Sequence, residues 1–162
     1  MTSALTVRRS AWEEAGPIPE ELRISADAWL VGIYPFLGRV AALPETLGFY
    51  CVHDNNNWFR AIDTPATLQK RMSHWDATVR LTNRFLETRG ASRRLRLEDH
   101  LPYQLANARL NGVGPLRRLE LAMRGLRFGG EPNLARRVRD VLRDVPALPG
   151  HGKRFAATAD SE

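Results

Sequence analysis

A handful of side chains in this sequence have the type and placement to do chemistry. Asp27 stands two residues after Ser25, in the first turn of an expected helix. Arg8 and Arg9 close a short β-branched run, His53 opens the polar cluster His53-Asp-Asn-Asn-Asn57, and Cys51 is the single cysteine. A carboxylate can accept a proton, a guanidinium can grip phosphate, and an imidazole can hold a divalent ion. Each group also has a plainer role. Asp27 suits the positive end of a helix dipole. Arg8 and Arg9 can be solvated at a strand end, and His53 can bond to backbone. Asn55 and its neighbours are turn formers that tolerate left-handed backbone. Cys51 excludes an intrachain disulfide and a cysteine-based zinc site, and is most simply a small buried hydrophobe. Gly112 and Gly114 precede a helix but lack a third glycine and a preceding strand, so they do not form a nucleotide-binding loop.

The elements that must position these groups differ between the two parts of the chain. In residues 1–60 the opening run 2–9 reads as a strand. Ser10 can cap a brief helix through Ala15, with Glu13 completing a capping box. Gly16, Pro17 and Pro19 break that helix. A second helix starts at Ser25, its residues Ala26, Trp29, Leu30, Ile33 and Leu37 recurring at helical spacing, and Gly38 ends it. Two short strands follow, over 39–43 and 47–52. The expected fold class is therefore α/β in this part, with strands too few for a self-sufficient sheet, followed by a mainly helical region.

From Thr64 the periodicity is helical. Thr64 and Pro65 form a favoured cap and first-turn pair. Leu68, Met72, Trp75, Val79 and Leu86 share a face, and the helix stops at Gly90. Glu98 and Asp99 begin another helix with Leu101 and Leu105 inward. A third starts at Pro115 with the stripe Leu116, Leu119, Met123 and Leu126. A fourth starts at Pro132, with Leu134, Val138, Val141 and Val145 inward and Arg136, Arg137, Arg139 and Arg143 outward. The expected domains are 1–60, a helical extension 61–146, and a disordered tail 147–162.

Composition bounds the function classes. The chain has 162 residues, with 43% apolar and 26% charged, which is globular and large enough for a real core. No stretch is long and apolar enough to span a membrane, and no signal-peptide core is present at the N-terminus. That makes the cytoplasm the expected location, with peripheral attachment at the inner face of the membrane as an extension. The formal net charge is +6, from 24 Lys+Arg against 18 Asp+Glu. It is unevenly placed: residues 1–60 hold 5 basic and 7 acidic groups, and 61–162 hold 19 and 11. Three readings compete for the basic half. The plainest is a helical bundle capping the preceding sheet. A second is attachment to an anionic membrane surface through basic amphipathic faces. Nucleic acid is the least supported partner, because the arginines are scattered and no aromatic residues interleave with them.

Several short motifs occur in a telling order: Ser3 with Arg8 and Arg9, then Pro17-Ile-Pro19-Glu20, then Ala26-Asp27, then Tyr50-Cys-Val-His53-Asp-Asn55. Over residues 2–57 this succession resembles the acceptor-side half of family-2 glycosyltransferases, which have the GT-A fold. The resemblance implies an inverting transfer of a sugar from a nucleotide-diphosphate-sugar donor to a hydroxyl acceptor, in cell-envelope polysaccharide or glycolipid synthesis. It implies Asp27 as the general base, because a sugar hydroxyl is a poor nucleophile and needs its proton removed. It implies His53 beside the diphosphate and its metal, Mg²⁺ or Mn²⁺. Ser3, Arg8, Arg9 and Asn55 would line the substrate cleft.

The departures carry weight too. Ala4 replaces the usual glycine, and Cys51 stands where an arginine is frequent. The family's nucleotide-binding half is missing, and no Asp-x-Asp occurs; Asp140 and Asp144 are four apart on a basic helix. The expectation is thus a partial GT-A-type segment followed by helices, incomplete and inactive alone. Its donor site would come from a longer frame or from a separate nucleotide-binding polypeptide. The alternative is a non-catalytic basic helical adaptor, or a membrane-surface-binding protein, that retains a glycosyltransferase remnant.

Overall fold

The computed structural model describes residues 5–22, 26–43, 45, 48 and 64–150. Among these are six α-helices: α1 (Arg9–Ala15), α2 (Ala26–Leu37), α3 (Pro65–Thr88), α4 (Leu101–Asn111), α5 (Pro115–Leu126) and α6 (Leu134–Asp144). Short 3₁₀ turns at Glu20–Leu22 and Leu97–Asp99 precede α2 and α4. The expected α/β, GT-A-type segment is overturned, since the described residues contain no strand. Residues 5–8 and 39–43 have no regular secondary structure, and 47–52, Gly48 apart, lie outside the described residues. A strand is stable only when a neighbour takes up its backbone donors and acceptors, and β-branched content cannot supply that neighbour.

The chain divides into two compact units, 1–62 with 73–95 and 63–72 with 96–162. In the first, α1 begins at Arg9 with Arg8 as an N-cap that makes no side-chain bond. Ser10 therefore lies inside the helix rather than at its cap, and Glu13 does not complete a capping box. Glu13 instead pairs with Arg9 at 2.7 Å, one turn apart on the exposed face. Ala15, Leu22, Trp29, Leu30, Ile33 and Leu81 form the core, with Tyr34 and Phe85 packed against it. Trp29 and Phe85 meet edge to face at a centroid separation of 5.8 Å. Gly32 lets α2 approach α3 closely, because a Cβ there would stand 3.0 Å from the Thr82 hydroxyl. Arg89 lies over the Phe85 ring at 4.7 Å and also pairs with Glu14. The Asn83 amide bonds both ways with the Leu95 backbone, at 2.9 and 2.8 Å, holding the segment after α3 against that helix.

The ends of α3 follow the sequence signals. The Thr67 N–H donates to the Thr64 hydroxyl at 3.2 Å, and the Thr64 N–H donates to the Thr67 hydroxyl at 2.9 Å. These are the two reciprocal bonds of a capping box, with threonine in the place usually held by glutamate. At the other end the Ala91 N–H reaches the Leu86 carbonyl at 3.0 Å and the Gly90 N–H reaches Glu87 at 2.9 Å. That is a Schellman closure, and Gly90 adopts the φ of +67° it requires.

In the second unit, Leu101, Ala108, Leu121, Val145 and Leu148 form the core, flanked by Leu105, Val113, Ala122 and Val141. Asn133 caps α6 by accepting the Arg136 N–H at 3.2 Å. Beyond α6 the chain folds back: the Val113 N–H donates to the Pro149 carbonyl at 2.9 Å, and Leu148 is buried. The expected inward stripe of α5 faces the other way. Leu116, Leu119, Met123 and Leu126 are 83, 61, 46 and 38% exposed, whereas Leu121 is 1% exposed. The reason is Gly125. Without a side chain there, Val141 of α6 packs directly on the helix, and a Cβ at Gly125 would lie 2.6 Å from it. Leu121, one turn earlier on that side, is buried with it. On α6 Val145 is buried and Val141 packs on the core, but Leu134 and Val138 are exposed rather than inward.

Candidate functional site

Asp27 occupies the first turn of α2, at the positive end of the helix dipole. Its residue is half-buried, and the next two turns are anchored by Trp29, Leu30 and Ile33 in the core of the first unit. A carboxylate so placed is fixed by the packing of its own helix, an arrangement that favours precise positioning. Arg8 and Arg9 are exposed at the start of α1, and the Arg9 guanidinium is engaged by Glu13. Ser3, His53 and Asn55 lie outside the described residues. Of the six residues singled out for a substrate cleft, the structure thus places Asp27, Arg8 and Arg9 in one unit.

Among the described residues no group of three or more His, Cys, Asp or Glu side chains comes together to hold a metal ion. The described residues therefore do not supply the divalent-ion site the resemblance implies.

The second unit contains a cavity of about 190 Å³. Leu101, Leu105, Leu121, Phe128, Val141 and Val145 give it apolar walls, while Glu131, Arg137, Asp140 and Asp144 lie among its lining. Arg137 was expected to point outward, but it turns back to bind carbonyls of the α5–α6 connection. Its guanidinium donates to Leu126 and Pro132 at 3.2 Å each, and to Glu131. The Arg143 guanidinium donates to Asp144 at 2.7 Å and holds its carboxyl below the usual carboxylate range, against the opposing effect of burial. Arg109 of α4, 3.6 Å away, adds to that lowering. Burial pushes the His100 imidazole, just before α4, below its ordinary value. Periodicity could not signal this cavity; the one available cue was Gly125, a small residue on the side of α5 opposite its apolar stripe.

The chain is 32% identical over 105 residues to an uncharacterized glycosyltransferase of Nostoc sp.. The matched part is 64% of this chain and 33% of that protein, so the chain spans about a third of the relative's length. A match of 105 residues is longer than residues 1–60, and it must take in part of the helical region as well. No family model matches the chain. No solved structure matches it either. The alignment supports a glycosyltransferase relationship that reaches into the helical half of the chain.

Proposed function

We propose that this chain is the acceptor-side portion of a glycosyltransferase whose donor-binding portion lies outside it. The observation that carries this reading is the alignment of 105 residues, 64% of the chain, with a protein named as a glycosyltransferase. In this proposal the acceptor hydroxyl oxygen forms a bond to the anomeric carbon as the bond to the nucleotide diphosphate breaks, with inversion. Asp27 takes the hydroxyl proton as the new bond forms, since attack by a neutral sugar hydroxyl is slow without a base. Arg8 and Arg9 stand on the same unit, where guanidinium groups could receive phosphate or sugar hydroxyls. A divalent ion, Mg²⁺ or Mn²⁺, would take its carboxylates from the donor-binding portion, with His53 beside it. Cell-envelope polysaccharide or glycolipid synthesis is the setting this reading favours.

The test is Asp27→Asn in the assembly complete with its donor-binding portion. Turnover should fall by at least about a hundredfold, the usual scale for losing a general base, while nucleotide-sugar affinity stays within about twofold. Retained turnover would remove Asp27 from the chemistry.

A further inference from the structure

The cavity of the second unit has apolar walls from three helices: Leu101 and Leu105 of α4, Leu121 of α5, and Val141 of α6. Gly125 borders it too, so that position of α5 contributes no side chain to fill the space. The Phe128 ring stands at the mouth, since it lines the cavity and is 37% exposed. It packs on the bare backbone of Gly130, where a Cβ would lie 2.5 Å from the ring. Four charged side chains also border the cavity, and the chain itself satisfies all four. Glu131 accepts the Asn133 N–H at 2.9 Å and lies 3.8 Å from Arg136. Asp140 accepts from Arg139 at 2.9 Å, and Asp144 accepts from Arg143 at 2.7 Å. Arg137 donates to the carbonyls of Leu126, Glu131 and Pro132. No side chain bordering the cavity holds a buried polar atom that lacks a hydrogen-bond partner.

We propose that this cavity binds a small, uncharged, apolar molecule with the bulk of a single substituted aromatic ring. Polarity selects that class. An ionised ligand would leave water and meet only charges that are already paired, which is costly. Ordered water needs about two to four polar partners, and the bordering groups have given theirs to one another. An apolar ligand sacrifices no hydrogen bond on entry and gains contact with leucine, valine and phenylalanine side chains. Volume selects the bulk. An apolar cavity of about 150 Å³ accepts benzene, whereas drug-sized ligands occupy pockets of about 300 Å³ or more. The 190 Å³ here lies between these, close to the smaller. The proposal stands independently of the glycosyltransferase reading, because it needs neither donor nor acceptor.

The full chain, with carbon-13 in its leucine and valine methyl groups, is titrated with toluene and separately with benzoate and benzylammonium while its methyl spectrum is followed. Toluene should shift the methyl signals of Leu105, Leu121 and Val141 saturably, and each ion should bind at least about tenfold more weakly. Leu105→Phe carries bulk into the space and should weaken toluene binding at least about tenfold. Phe128→Ala, at a partly exposed position, is a second variant that leaves the core in place. Loss of the ring at the mouth should weaken binding at least about threefold. Leu142→Ala, at a site 69% exposed and outside the lining, should leave binding unchanged. Absence of a saturable shift with toluene would overturn the proposal, as would shifts confined to methyl groups away from the cavity. Binding of either ion as tight as that of toluene would also overturn it, and so would wild-type binding by both lining variants.

Discussion

Truncating Leu121 to alanine removes a side chain that is 1% exposed, at the centre of the second unit's core. The lost transfer free energy is about 0.8 kcal/mol for each buried methylene equivalent. Leu121 also lines the 190 Å³ cavity, so its neighbours on that side cannot close over the gap and the empty volume simply grows. A cost of about 3 kcal/mol follows, within the usual range for a leucine whose site cannot collapse. Leu119, two residues earlier on the same helix, is 61% exposed, and alanine is the better helix former. Leu119→Ala should therefore change stability by less than about 0.5 kcal/mol. The assay is urea unfolding followed by far-ultraviolet circular dichroism and by tryptophan fluorescence. The tryptophans among the described residues, Trp12, Trp29 and Trp75, belong to the first unit. If the two units unfold separately, Leu121→Ala shifts a dichroism transition and leaves the fluorescence transition in place; if they unfold together, both shift equally. A larger loss from Leu119→Ala than from Leu121→Ala would refute the orientation of α5.

Two further predictions concern the second unit. Gly112 has φ +70° and ψ 159°, a region nearly confined to glycine, and a Cβ there would lie 2.5 Å from the Gly150 carbonyl oxygen. Gly112→Ala should cost more than about 3 kcal/mol, combining strain with a backbone clash. Gly114→Ala, with φ −74° and open space at its Cβ, should stay within about 0.5 kcal/mol; equal urea midpoints for the two variants would disprove this account. The pH dependence follows from His100 and Asp144. His100 is held below its ordinary value in the folded state, so the unfolded chain binds the proton first. Its contribution is present above about pH 6.5 and declines as pH falls through that value. Asp144 is also lowered, so its contribution is present above about pH 4 and is lost as pH falls through its folded value. The dichroism-detected urea midpoint should fall on acidification, with the upper step absent in His100→Gln; a midpoint independent of pH from about 8 to 5 would refute the His100 assignment.

Where a helix begins and ends was legible in the sequence, because caps are local chemistry. Thr64, Pro65 and Gly90 mark the ends of α3 through bonds that span only a few residues. Pro115 at the start of α5 and Gly38 after α2 work in the same way. The start of α1 was misplaced by two residues because its cap, Arg8, uses no side-chain bond and leaves no signature. The strands expected over 2–9 and 39–43, absent from the described residues of both runs, failed for a different reason. Strand formation depends on a neighbour far away in the chain, and a short β-branched run carries no information about whether that neighbour exists.

The orientation of α5 shows why a face can be read correctly as apolar and wrongly as buried. Periodicity counts apolar residues, and the four-residue stripe outnumbers the single Leu121. Burial, however, is decided by how closely another element can approach, and the approach is closest where side chains are smallest. Gly125 admits Val141 to within a distance no larger residue would allow, so the sparsely apolar side of α5 becomes the core side. The richer stripe then remains outside. The same limit applies to Asp27. Its place in the first turn of α2 was legible, since helix register is local, and the core residues Trp29, Leu30 and Ile33 that fix that register were legible with it. The surface across from a half-buried carboxylate is a tertiary property that no local pattern carries. A base on α2 can be positioned by this chain alone, but it can act only where a donor's anomeric carbon is brought to the acceptor oxygen. The positioning and the reaction are therefore separable, and Asp27→Asn is expected to leave the fold intact while removing turnover from the complete assembly.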